Sequence, residues 1–422
     1  MKGLEKEIKK VLDMELDVLT DELLDEFLKS EKKELDEKSI DELEDHVFEK
    51  VKKERGVEKA EVVVDRIKKI KLSKQLRGLE EKSRIQSRKK YELLKKLGNV
   101  CLNLNQLEEA ENCFDQMLEI SENLDRKEML MDSLKSQAEL YLIEGKLGEV
   151  EKSARNIIQM ARKSNDRVKE AEGIKLAGIV AWNKGDHQEG MNYLKDSLEI
   201  FKEEDLKEKI ACVYRECGDL QVDAEDYDKG IEYYEKAAEL FSEVNMFYER
   251  ANMLLEIGTI LSEIGEDEEA IESLELAKEE SLKHYFFDFA GWSALNLSEL
   301  LLEDDEIEKA EENSREAIEL FRKAEDKHGE GGAKLTLGRS LVVEGEISKS
   351  ERLLKEASNI FNRLGLPESE AEARYRSAKV LKEKGEYDEA EKNLEGALKI
   401  YDSLDMSEMK EKIEEELANL TK

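Results

Sequence analysis

A 40-residue period runs without slip through most of this 422-residue chain, and it constrains the fold more than any other feature. Loop-forming residues recur at Asn105, Gly145, Gly185, Glu225, Gly265, Asp305, Gly345 and Gly385. With Tyr91, Met131, Ala171, Ala211, Ala251, Gly291, Gly331 and Ala371 as position 1, position 8 is always small: Gly98, Ala138, Gly178, Gly218, Gly258, Ser298, Gly338 and Ala378. Position 20 is mostly small, and position 27 is alanine at Ala237, Ala277, Ala317, Ala357 and Ala397. Larger apolar residues such as Leu194, Tyr234, Leu274, Leu354 and Leu394 occupy position 24. A small residue at a fixed helical site lets a second helix approach closely, so each unit reads as two helices packed small against large. The first helix is expected over positions 1–14 and a longer second one from about position 17. Glycine at the turn suits a helix end, because it accepts positive φ without a Cβ penalty. One such hairpin cannot bury its own apolar face, whereas stacked neighbours can.

Composition narrows the function classes. Acidic residues number 104 and basic ones 69, giving a net charge of −35. No apolar run approaches the roughly 20 residues that a membrane helix needs. The N-terminus lacks a signal-peptide apolar region, so a cytoplasmic protein without membrane contact is expected. Cys101, Cys113, Cys212 and Cys217 form no CxxC and are expected to be free thiols. The histidines, His46, His187, His284 and His328, are scattered, and no metal, nucleotide or catalytic motif occurs. The expectation is a protein with no cofactor, no metal and no enzymatic activity.

The small residues at positions 8, 20 and 27, with Gly385-Glu386-Tyr387-Asp388-Glu389-Ala390, resemble the tetratricopeptide (TPR) repeat family from about Tyr91 to Leu404. The 40-residue unit is similar to the long-helix subgroup of the kinesin light chains, the Pins/LGN adaptors and MalT-type regulators. The family's usual proline at position 32 is absent. The resemblance implies an all-α, right-handed superhelical solenoid of eight TPR-like hairpins that binds a protein or peptide in its concave groove. In that family positions 2, 5, 9, 12 and 13 face the groove. Position 5 here reads Lys95, Lys135, Lys175 and Arg215, then Leu255, Leu295, Leu335 and Tyr375, with Trp292, Leu302, Val342 and Val343 extending the apolar half. Such a groove would take a partner's carboxylates in repeats 1–4 and its apolar anchors in repeats 5–8. On that reading Leu295→Asp weakens binding without unfolding. The competing reading is that Glu92, Asp132 and Glu172 neutralise Lys95, Lys135 and Lys175 as i,i+3 pairs, and that the apolar half packs against the chain itself. Lys95 and Asn99 also match two residues of the carboxylate clamp of chaperone-binding TPR domains. The other clamp positions hold Ser136, Glu172 and Leu176, and Glu172 would repel the carboxylate.

One link between repeats carries Phe247 and Tyr248, and the next carries Tyr285, Phe286, Phe287 and Phe289. Stacking would place these rings on one edge, either as a contact patch or covered. Trp182, at position 12, is read as packing. Residues 1–65 hold 22 acidic and 13 basic residues and read as a helical N-terminal module of about three helices. Leu4, Ile8, Leu12, Leu16 and Leu19 form one stripe, and Ser39 with Glu42 forms a capping box before Leu43, Val47 and Val51. Gly56 ends that helix, and Val63, Ile67 and Ile70 mark the next. Residues 66–96 hold 13 basic and 3 acidic residues, so 66–90 reads as a basic helical connector before the repeats at 91–404. It is a solvated helix, a latch drawn to the acidic repeats, or a nucleic-acid or anionic-membrane contact. The last is least favoured, because the acidic array beside it repels phosphates. Residues 405–422 read as a C-terminal capping helix. The function expected is a protein-interaction scaffold or adaptor. The alternative is a signal-responsive regulator in which the repeats sense a ligand or partner and the N-terminal module is the output.

Overall fold

The computed structural model describes residues 2–16, 37–77 and 84–420, all built from α-helices and short turns. Three helices precede the repeats: α1 Lys2–Leu16, α2 Glu37–Arg55 and α3 Val57–Arg77. The paired helices begin with α4 Arg84–Asn103 and α5 Leu107–Asn123, then α6 Lys127–Ile143 and α7 Leu147–Ser164. They continue as α8 Arg167–Asn183 with α9 His187–Glu203, and α10 Lys207–Asp223 with α11 Tyr227–Glu243. Next come α12 Phe247–Glu263 with α13 Asp267–His284, and α14 Phe287–Glu303 with α15 Ile307–Ala324. The last pairs are α16 Lys327–Val343 with α17 Ile347–Leu364, and α18 Pro367–Glu383 with α19 Tyr387–Ser403, followed by α20 Ser407–Leu420. The chain divides into two compact units, Met1–Met253 and Leu254–Lys422.

The 40-residue period halves at the backbone. Every twentieth residue from Asn105 to Asp405 has positive φ, at positions 15 and 35 of each unit. Each left-handed residue ends a helix, and the next N–H reaches back five residues, as from Lys146 to the Tyr141 carbonyl at 2.8 Å and from Asp166 to Ala161 at 2.9 Å. The link between units is thus as short as the turn within one. The first helix starts at position 37 of the preceding unit, earlier than its periodicity indicates, so the two helices of a pair are nearly equal in length.

Close approach explains position 8. A Cβ on Gly98 would lie 2.3 Å from the Phe114 ring, one on Gly218 2.5 Å from Tyr234, and one on Gly258 2.6 Å from Leu274. Where position 24 is small, as at Ala154 and Ser314, position 8 is Ala138 or Ser298 instead. The Ser298 hydroxyl donates to the Ala310 carbonyl at 2.7 Å, satisfying its polar group inside the hairpin. Position 32, without its proline, is used differently. Arg162 donates to Glu170 at 2.8 Å, Arg322 to Glu330 at 3.1 Å and Asn362 to Glu370 at 2.8 Å. Lys410 to Asp402 repeats this link, from position 32 to position 40, with the charges exchanged.

In the first unit, α1–α3 bury Ile8, Leu12, Leu16, Leu43, Val47, Val51, Val63 and Ile67 together, with Ile70 against them. Gly56 breaks α2 from α3 at φ 91°. Ser39, expected at the opening of a helix, lies within α2, which starts at Glu37. Leu19 and the Leu4 side chain lie outside what is described. The expected boundaries at residues 65 and 90 fall inside α3 and α4. Leu72 of α3 shares a core with Tyr91, Leu94 and Phe114. Asn103 donates to Asp65 at 2.9 Å, and Lys69 pairs with Glu109 at 2.8 Å. Arg66 pairs with Glu15 at 2.9 Å, so part of the basic stretch is engaged by neighbouring helices. In the second unit, α20 buries Ile413 against Tyr375, Leu394 and Tyr401, closing the last pair.

Candidate functional site

The first helix of each pair carries the position-5 row. In the first unit its lysines are engaged, but not by the i,i+3 partners expected from sequence. Each reaches an acid one repeat further on: Lys95 to Asp132 at 3.0 Å, Lys135 to Glu172 at 3.7 Å and Lys175 to Glu216 at 2.6 Å. Lys169 bridges Asp132 at 2.6 Å and Glu172 at 2.8 Å, and Lys209 adds a contact to Glu172 at 2.5 Å. Glu172 is only 5% exposed. Burial alone would raise its pKa, but Lys135, Lys169 and Lys209 outweigh it and hold the carboxyl at about 2. Burial also opposes the charge on Lys175, and the Glu216 carboxylate overrides it and raises that pKa. This is a charge ladder that joins neighbouring repeats. Arg215 is half-buried, and Asn99 is exposed at the start of the row. The clamp arrangement is filled by these internal pairs, with Ser136 and Leu176 buried.

The apolar half of the row is mostly core. Leu295 is 4% exposed and packs among Ala294, Ile318, Phe321 and Leu337. Leu255 lies with Leu274 and Ala277, and Tyr375 lies under the C-terminal helix. These three are therefore packing residues rather than open anchors, and Leu295→Asp would disrupt the core instead of leaving the fold intact. Leu335 is partly buried against Ala357 and Phe361. Trp292 stands edge-on to Phe321 at 5.1 Å and to His328 at 5.4 Å.

The rings singled out at the links are also largely covered. Phe286 and Phe287 are buried, Tyr285 and Phe289 partly so, and Tyr285 meets Phe287 edge-on at 6.2 Å. Phe247 is partly buried, and Tyr248 is 37% exposed. Trp182 donates to Asp223 at 2.8 Å beside the core of the first unit.

What remains open on the first-helix face of the second unit is a cavity of about 320 Å³. Leu302, Val342 and Val343 give it an apolar wall, and Val343 is 63% exposed. Leu354 and Val380 add to the apolar lining, and Arg339, Arg376, Lys379 and Glu383 supply the charged side chains. A second cavity of about 660 Å³ shares Lys379 and Glu383 and runs on to Tyr387 and Leu420. Position 9 carries Arg339 and Lys379, a cationic pair legible in the sequence but overlooked beside the more regular position 5. Among the described residues, no group of three or more His, Cys, Asp or Glu could hold a metal ion. No helix among them is long and apolar enough to cross a membrane.

Residues 104–295 match the soluble NSF attachment protein (SNAP) family, and residues 371–403 match a tetratricopeptide repeat. No curated protein sequence matches the chain. A Pyrococcus horikoshii signal-transduction ATPase with numerous domains, which has a tetratricopeptide repeat sensor, superposes with a TM-score of 0.58 at 16% identity. That superposition covers 97% of this chain and 74% of the other. The apo form of RapI gives a TM-score of 0.49 at 17% identity, covering 65% and 99%. Aspartyl phosphate phosphatase F from Bacillus subtilis gives 0.49 at 15% identity, covering 87% and 95%. The chain is a TPR-like helical repeat protein.

Proposed function

We propose that the protein is a non-catalytic interaction scaffold that holds a segment of a partner protein on the first-helix face of its second unit. The observation that carries this is the asymmetry of the face. In the first unit Lys95, Lys135 and Lys175 of that face are paired with carboxylates of the next repeat. In the second, Val342, Val343 and Leu302 stay accessible around a cavity of about 320 Å³, large enough for one or two side chains of a bound segment.

Selection of a random peptide display library against the full chain tests this reading. Peptides recovered on the parent and lost on Val343→Asp support it. Identical peptides recovered on both, or none on either, would refute it.

The regulator reading gives the N-terminal helices an independent output. Leu72 contributes to the core of the first repeat, and Asp65 and Lys69 bond to it, which supports a structural start to the array instead. A chain lacking residues 1–90 would lose part of α4 and uncover that core, so it is not a neutral truncation.

A further inference from the structure

We propose that the cavity between Leu302 and Lys379 is an anion subsite, and that the segment it takes carries an aspartate or glutamate next to an aliphatic residue. This rests on the peptide-binding reading above and adds the chemistry of what is recognised.

A hydrogen-bond pattern runs along the first helices of the second unit. Position 6 of one repeat faces position 9 of the repeat before it. Asn296 donates to Thr259 at 3.0 Å, and Thr336 donates to Glu299 at 3.0 Å. The next step of the same ladder brings Arg376 to Arg339, and both line the cavity. A guanidinium has five donors and no acceptor, so these two cannot bond to each other. Arg376 is partly engaged on its own helix by Glu372 at 2.5 Å. Arg339 lies near the Glu299 carboxylate, which Thr336 already holds. Lys379 sits over the Tyr375 ring at 5.6 Å, and Glu383 lines the cavity as its one carboxylate. No ion pair joins Arg339 or Lys379 to any carboxylate among the described residues.

Three cations against one carboxylate is notable in a chain of net charge −35. The ladder thus breaks where an acceptor is needed. A carboxylate placed between Arg339 and Lys379 would complete it by charge-assisted hydrogen bonds. The wall of Leu302, Val342 and Val343 beside these cations would receive an aliphatic neighbour of that carboxylate. An acidic, aliphatic segment is the one occupant that meets both surfaces at once.

The same display library decides the point, selected on the full chain, on Arg339→Gln with Lys379→Gln, and on Val343→Asp. Both cations are solvent-accessible and have no ion pair among the described residues, so circular dichroism should be unchanged in the double variant. The expected result is enrichment of Asp or Glu at one fixed place beside Leu, Ile or Val. That acidic preference should vanish on the double variant, and changing the acid to its amide should weaken a selected peptide about ten-fold, less so at high salt. Peptides that depend on Val343 but show no acidic position, or that bind the double variant equally, would overturn the anion subsite and leave the groove reading standing. Peptides indifferent to Val343, or no peptides at all, would overturn both.

Discussion

Replacing Glu172 by Gln tests the charge ladder of the first unit. The side chain keeps its shape and loses its charge, leaving the ammonium groups of Lys135, Lys169 and Lys209 around a neutral amide. The carboxyl is held at about 2 in the fold against an ordinary 4.5. That difference converts to a ceiling of about 3 kcal/mol of stability. Because the folded value is the lower one, the contribution is complete above pH 4.5 and is lost as pH falls from there toward 2. The two tryptophans give an assay, since Trp182 lies in the first unit and Trp292 in the second. In a Trp292→Phe background, Trp182 fluorescence under urea reports the first unit alone. Glu172→Gln should unfold at markedly lower urea at pH 7, and the gap to the parent should close progressively below pH 4.5. Equal midpoints at pH 7, or a gap that stays constant down to pH 3.5, would refute the ladder as a source of stability.

Other outcomes follow from the same geometry. Gly258→Ala places a Cβ 2.6 Å from Leu274 and should cost about 1–3 kcal/mol, read by urea unfolding followed at Trp292, and Gly258→Ala combined with Leu274→Ala should cost less than the two single changes summed. Glu225 adopts φ 59° on an exposed turn where other units have glycine, so Glu225→Gly should stabilise by about 1 kcal/mol, and a lower unfolding midpoint would contradict that. Leu295→Asp buries a carboxylate among Ile318, Phe321 and Leu337 and should destabilise by about 3 kcal/mol or more, seen as lost helical circular dichroism at moderate urea.

How much of this was legible in the sequence depended on the kind of residue. The turn positions and the small residues at position 8 showed plainly, because backbone conformation and close approach limit the residue choice in every unit. Helix starts did not. Residues such as Phe247, Phe287 and Lys327 open helices while looking like linkers, since a link of two or three residues leaves no compositional mark. The charge row was visible but its partners were not: an i,i+3 spacing and a cross-repeat spacing of 37 or 41 look alike until stacking is known. Leu295 and Tyr375 looked like anchors because an apolar residue on a first helix is the same letter whether it faces a ligand or the next repeat. Arg339 and Lys379 were overlooked for a related reason. Cations stand out little in a chain in which charged residues are 41% of the whole, and only the hydrogen-bonded neighbours before them reveal that an acceptor is missing.

The most direct test of the account places a photo-crosslinking amino acid at Val343, and in a separate chain at Ile143. The two residues occupy the same position in their repeats, lie in different units and are similarly exposed, at 63% and 58%. Irradiation with a peptide selected on the parent chain should give a crosslinked product from position 343 and none from position 143. Crosslinking from 143, or from neither site while the peptide still binds, would contradict the assignment of the binding face to the second unit.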